Sequence, residues 1–258
     1  MPDVSARVRE LRALDNLSLG TTVIHRLHPL VKLIMTLVFI VVVASFNRYA
    51  FVSLTPYLFY PFLMMALAEL PYRVIGPRVL IALPFVLFAG LANIIFDRDL
   101  AFTIGPVNVS MGVLSMATIL LKMYLCVMAA LILVATTPFT DLTFQLRRLK
   151  VPMIFIMVFE MTYRYIGVLF EEVHAMVTAY RLRSGMTKGP RITHAGSFLG
   201  QLTLRALERA ERVHAAMRCR GYSLKATHRP RRPLRAGEIS TLVLVCLAIV
   251  LLRFFTIG

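Results

Sequence analysis

The chain has 258 residues, of which 58% are hydrophobic and only 16% charged, with a formal charge of +16. A soluble domain with that apolar share would carry more charge, so the class is integral membrane. The basic excess does not point to nucleic acid: the basic segment lacks aromatic stacking platforms, and cytoplasmic loops of membrane proteins collect Lys and Arg.

The first 20 residues are charged and lack an apolar core and a cleavage site, so they do not read as a signal peptide. Arg7, Arg9 and Arg12 around Leu11 and Leu14 predict a short surface helix ahead of the membrane. His25 and His28 are three apart, a spacing that invites a metal, but Pro29 follows directly and no third ligand is near. They read as loop or interface histidines. Pro29 suits the first turn of a helix, and Lys32 is placed to snorkel to the headgroups.

Roughly 20 apolar residues cross the hydrocarbon, and five runs fit: Leu30–Phe46, Ala50–Ala68, Val79–Phe96, Gly112–Ala135 and Ile239–Ile257. Pro56, Pro61 and Pro84 fall inside spans and are expected to kink them, with neighbouring helices taking up the freed carbonyls. With the N-terminus inside, Arg48 and Asp97-Arg98-Asp99 lie outside, while Arg73, Arg78 and the basic segment from Asp141 to Glu238 lie inside. That segment holds 18 of the 29 Lys and Arg, against seven of the 13 acids. Every heavy basic cluster is then cytoplasmic. The predicted fold is an all-α integral membrane protein, with about five transmembrane helices plus two or three cytoplasmic helices. Its segments are 1–29 (cytoplasmic), 30–140 (four membrane helices), 141–238 (cytoplasmic helices) and 239–258 (final transmembrane helix). The three cysteines, Cys126, Cys219 and Cys246, form no disulfide framework.

Val151 to Phe170 is long enough to span, but Glu160 and Arg164 interrupt it, four apart, where they can pair on one helix face. Both its flanks are basic, and a crossing would export one of them. The stretch is therefore expected to dip into or lie along the cytoplasmic face. Beyond it, Phe198, Leu202, Ala206, Ala210, Val213 and Met217 recur at three- to four-residue spacing and predict an amphipathic helix. Glu208 to Arg212 is the favourable i, i+4 order. His228 to Pro233 is a helix-breaking basic linker into the last span.

No G-x-x-x-x-G-K-[ST] loop, H-E-x-x-H pair or G-x-S-x-G turn is present, so the sequence carries no phosphate cradle, zinc pair or nucleophile elbow. Glu171-Glu172, with only His174 close, reads as the wet face of an amphipathic helix rather than a proteolytic dyad. Lys122, near the middle of the fourth span, is a candidate intramembrane functional residue. Its alternative role is structural, paired with a carbonyl or an acid.

Two arginine marks remain. Ala179-Tyr180-Arg181-Leu182-Arg183-Ser184-Gly185 and Ala216-Met217-Arg218-Cys219-Arg220-Gly221-Tyr222 each place two Arg at i, i+2 at the end of a predicted helix. A guanidinium fork suits bidentate capture of a carboxylate on a soluble partner. Its alternative use is contact with anionic lipid. Repetition favours the first.

These marks resemble those of the transmembrane (T) components of energy-coupling-factor transporters, in particular the CbiQ-like cobalt branch. The family's two cytoplasmic coupling helices each end in a motif close to Ala-Arg-Gly. Here Cys219-Arg220-Gly221 is near that pattern, while Leu182-Arg183-Ser184 keeps only the arginine. His28 to Leu33, Asn93 to Arg98, Ala135 to Leu142, Leu146 to Pro152 and Tyr163 to Ile166 also look like this branch, in the same order along the chain.

The resemblance implies a non-catalytic coupling subunit of an ATP-driven importer in the cell (inner) membrane, with N-terminus and coupling region cytoplasmic. Its implied partners are the lipid bilayer, two cytoplasmic ABC ATPase subunits and a separate membrane substrate-binding (S) subunit. ATP and magnesium would sit on the ATPases and no cofactor on this chain. Leu182, Arg183, Ser184, Cys219, Arg220 and Gly221 would engage the ATPases, and the substrate would be cobalt, with nickel or a vitamin as alternatives. From a different class comes an autonomous cation channel or secondary carrier, motivated by Lys122 and the proline-broken spans but lacking the internal repeat of such folds. A membrane-embedded hydrolase comes third.

Overall fold

The structure is a computed structural model that describes residues 18, 20, 22–96, 100–104, 107–147, 150–184, 192–222 and 234–257. The expected surface helix around Leu11, the Asp97–Asp99 turn and the 228–233 linker lie outside these residues. Two compact units divide the chain. One is built on Asp15–Leu142 with Arg232–Gly258, and the other, within the described residues, on Thr143–Arg231.

The first unit begins with a short turn of helix, Val23–Arg26 (α1), followed by Pro29–Ala44 (α2), Phe51–Leu54 (α3), Phe59–Ala68 (α4) and Tyr72–Phe96 (α5). An antiparallel hairpin, Leu100–Ile104 (β1) and Val107–Ser110 (β2), pairs Ile104 with Val107. Met111–Thr136 (α6) follows, then Phe139–Leu146 (α7), in which the boundary between the units falls, and Ala236–Ile257 (α10) closes the first unit. In the second unit lie Met153–Arg183 (α8) and Ala195–Cys219 (α9). The fold is all-α in class, the hairpin apart.

Among the described residues, five helices are long and apolar enough to cross a membrane: Phe51–Ala68, Tyr72–Ile94, Met111–Thr136, Met153–Arg183 and Ala236–Phe255. Four of them overlap the expected runs, and the fifth, Met153–Arg183, takes the place of Leu30–Phe46. The third expected span begins earlier than Val79, because the helix continues back through Arg78 and Pro77 to Tyr72. Leu30–Phe46 gives a helix of 16 residues, about 24 Å, short of the ~30 Å hydrocarbon. Of Val151–Phe170, the stretch from Met153 onward instead belongs to one helix of 31 residues. Glu160 and Arg164 form no ion pair on it; the Arg164 guanidinium lies 6.0 Å from the Tyr165 ring centroid.

Of the prolines, Pro56 sits in a 3-10 turn, Thr55–Leu58, which separates α3 from α4. Pro61 falls in the first turn of α4, where its missing N–H has no intrahelical partner to lose. Pro77 and Pro84 lie inside α5.

α6 organises this unit because two of its faces are buried. Leu125 and Ala129, four apart, join Phe39, Val42, Val43, Phe46, Leu54, Tyr57 and Ile249. Met128, Ile132 and Ala135 join Ile24, Met65, Ala68, Leu70, Ile75 and Val79. The Tyr57 hydroxyl donates to the Ile249 carbonyl at 3.1 Å, tying α10 to the 3-10 turn.

Candidate functional site

The two arginine marks sit on α8 and α9, which run antiparallel. Tyr180 meets His194, with ring centroids 6.2 Å apart. Glu172 pairs with Arg205. Farther back along α8, Met157, Met161, Tyr165 and Leu169 face Ala206, Ala210, Val213 and Met217 across an apolar groove of about 330 Å³. The expected stripe on α9 is its inward face: Phe198, Leu202, Ala206, Val213 and Met217 are half-buried, although Ala210 is exposed. Glu208 and Arg212 approach to 3.8 Å, as their spacing predicts.

Because the hairpin is antiparallel, the two marks end up at its opposite ends. Arg183 lines a cleft of about 620 Å³ of mixed character, with Tyr180, His194, Gln201 and Arg205 beside Met176 and Phe198. Arg220 lies beyond Met217, whose side chain faces Met157 and Met161. The separation is roughly the length of α9, whose 25 residues span about 37 Å. Leu182, Arg183, Cys219, Arg220 and Gly221 are exposed and Ser184 half-exposed.

The two ends are built differently. After α9 the Tyr222 N–H bonds to Met217 O at 3.0 Å and the Gly221 N–H to Arg218 O at 3.0 Å. Gly221 has φ 67°. This is a Schellman ending, which needs a left-handed residue just past the cap and recruits glycine for it. It stops the helix sharply with Arg220 in the cap position. Arg183 instead is the last helical residue of α8, and the cap is Ser184, whose N–H reaches Tyr180 O at 2.9 Å. Gly185 lies outside the described residues.

A family model described as CbiQ, cobalt transport protein, matches residues 20–232, the region that holds both arginine ends. The chain belongs to this family. It is 36% identical to cobalt transport protein CbiQ of Rhodobacter capsulatus over 121 residues, 45% of this chain and half the length of that relative. Energy-coupling factor transporter transmembrane protein EcfT of Leuconostoc gelidum subsp. gasicomitatum is 25% identical over 256 residues, 92% of this chain and 94% of the relative. EcfT of Bacillus subtilis is 27% identical over 255 residues with the same coverage. The chain is a multi-pass membrane protein of a transport family.

The other candidates of this CbiQ-family chain lie in the membrane unit. The Lys122 ammonium donates to Phe46 O at 2.6 Å and Ala44 O at 3.4 Å, carbonyls at the C-terminal end of α2. His25 and His28 act separately: His25 Nδ1 lies 2.6 Å from the Thr22 hydroxyl, while His28 is buried and its Nδ1 accepts from the Leu30 N–H at 3.2 Å, capping α2. Lys32 does not snorkel. It is 3% exposed and donates to Thr136 O at 2.8 Å and His25 O at 3.3 Å. Sequence reasoning missed this residue's role because its acceptor is 104 positions away.

Proposed function

We propose that this chain is the non-catalytic transmembrane coupling subunit of an energy-coupling-factor importer in the cell (inner) membrane. Two cytoplasmic ABC ATPases, which carry ATP and magnesium, receive Arg183 and Arg220, and a separate membrane subunit captures the substrate. The N-terminus and the α8–α9 hairpin face the cytoplasm. Cobalt is the substrate class, by the family the chain belongs to and by the relative bearing that name.

The observation that carries this reading is the pair of exposed arginines at opposite ends of one helix hairpin. A rigid rod with a guanidinium at each end is suited to bridging two copies or two halves of a soluble partner. One end alone could equally be a basic surface stripe; two held by one hairpin define a span.

The test uses the chain co-expressed with its ATPase and substrate-binding subunits. Arg183→Glu or Arg220→Glu is expected to weaken ATPase capture by about 30-fold, since a buried interfacial arginine is worth about 2 kcal/mol. Cobalt uptake should fall while the chain still inserts. Unchanged co-purification and uptake in both variants would remove the coupling role.

A further inference from the structure

Two ammonium groups of the membrane unit, Lys32 buried and Lys122 half-buried, are arranged reciprocally. Lys32 stands in the first turn of α2 and reaches the carbonyl of Thr136, the last residue of α6, at 2.8 Å. Lys122 stands on α6 and reaches Phe46 O at 2.6 Å and Ala44 O at 3.4 Å, where α2 ends. The two helices run antiparallel with Phe39, Val42 and Val43 against Leu125 and Ala129 between the contacts. Each helix therefore sends a lysine to the C-terminal end of the other.

The chemistry of those ends explains the choice of residue. The last carbonyls of a helix have no intrahelical donor and gather the negative end of the macrodipole. An ammonium held among them satisfies several acceptors and is itself stabilised where water is scarce. Intramembrane lysines survive by such pairing with backbone carbonyls. A lysine stem is also long enough to cross from one helix to its neighbour's terminus. Around the Lys122 end, the Arg253 guanidinium adds a contact 5.6 Å from the Phe46 ring centroid, and Phe46 stacks edge-on with Tyr57 at 5.3 Å.

We propose that Lys32 and Lys122 are positioning residues that act as reciprocal helix caps, fixing the register of α2 against α6 at both ends. The pair then forms a fixed frame within the membrane unit.

The test is amide hydrogen exchange on the full chain in detergent, with a crossed signature. Lys122→Met removes a charge from α6 and is expected to speed exchange about ten-fold at Ser45 and Phe46, the amides closing the last turn of α2. Lys32→Met is expected to do the same at residues 134–137 of α6, one helix away from the substitution. Lys122→Arg keeps charge and donors and should restore wild-type protection at Ser45 and Phe46. Should Lys32→Met not accumulate, Lys122→Met and its arginine rescue still decide the question. Faster exchange confined to the turn carrying the substituted lysine, or no change at the opposite helix end, overturns the proposal. So does an arginine variant that exchanges like the methionine one.

Discussion

Gly221 holds φ at 67°, and a Cβ built there meets nothing within 4 Å. The case for glycine is therefore conformational rather than steric. An L side chain in the left-handed region costs about 1–2 kcal/mol, and asparagine bears that cost best. Gly221→Ala is expected to open the Schellman turn, speeding amide exchange at Gly221 and Tyr222 and letting Arg220 leave the cap position. ATPase capture should weaken in the direction of Arg220→Glu but by less, and Gly221→Asn should lie between alanine and wild type. Equal capture by all three would show that the turn does not present Arg220. Cys219-Arg220-Gly221 was legible in the sequence for a physical reason: the geometry needs one residue type at one position, next to its effect. Lys32 was not legible, because nothing near it in sequence distinguishes a lysine that reaches water from one that reaches Thr136. Lys122 was half legible: its depth signalled a partner, and only the fold supplies the α2 terminus as that partner.

At the scale of elements, α8 satisfies two descriptions that conflict. By length and hydropathy it can cross a membrane, and Ile154, Phe155, Val158 and Phe159 are exposed on it. Yet the same stretch is lined along one face by α9, which carries Arg205, Glu208, Arg209, Glu211, Arg212 and Arg218, all exposed. If α8 crossed with its partner attached, those charges would enter the hydrocarbon at about 3 kcal/mol each near its centre. Pairing with α9 is therefore expected to keep α8 along the membrane surface, apolar side towards lipid and α9 towards water. Hydropathy alone proposes the span; the charges at Glu160 and Arg164 and the basic flanks argue against it in the sequence, and α9, some 40 residues on, adds a polar face along it. Single cysteines introduced into a chain whose Cys126, Cys219 and Cys246 are replaced by serine test this placement. In inside-out vesicles, a membrane-impermeant maleimide should label Leu204→Cys and Leu207→Cys several-fold faster than Phe155→Cys and Val158→Cys. Equal rates at the four positions would mean that α8 is not shielded along this face.

At the scale of the whole molecule, the functional reading depends on a distance that no motif encodes. The sequence shows two arginines 37 positions apart; what makes them two heads is the antiparallel return of α9 along α8, which sends them to opposite ends. The Glu172–Arg205 ion pair and the Met-lined groove hold that return. A partner with two fixed receiving sites would read the length of the hairpin as well as its ends, and the length can be changed alone. Seven residues inserted in α8 after Leu169 and seven in α9 after Arg205 lengthen the facing helices by about 10 Å and keep each face within about 20°. Both arginines, both helix endings, the groove on one side of the insertions and the Glu172–Arg205 pair on the other are retained. If the ATPases are captured at two sites at once, the gain from the second attachment depends on the span and vanishes when the geometry forbids it. The lengthened chain should then recover ATPases no better than Arg183→Glu or Arg220→Glu alone, and adding either substitution to it should cost little more. If the arginines act independently on anionic lipid, recovery should match wild type. Pull-down of the ATPase pair with wild-type, lengthened, singly substituted and doubly altered chains, normalised to inserted protein, separates the two outcomes.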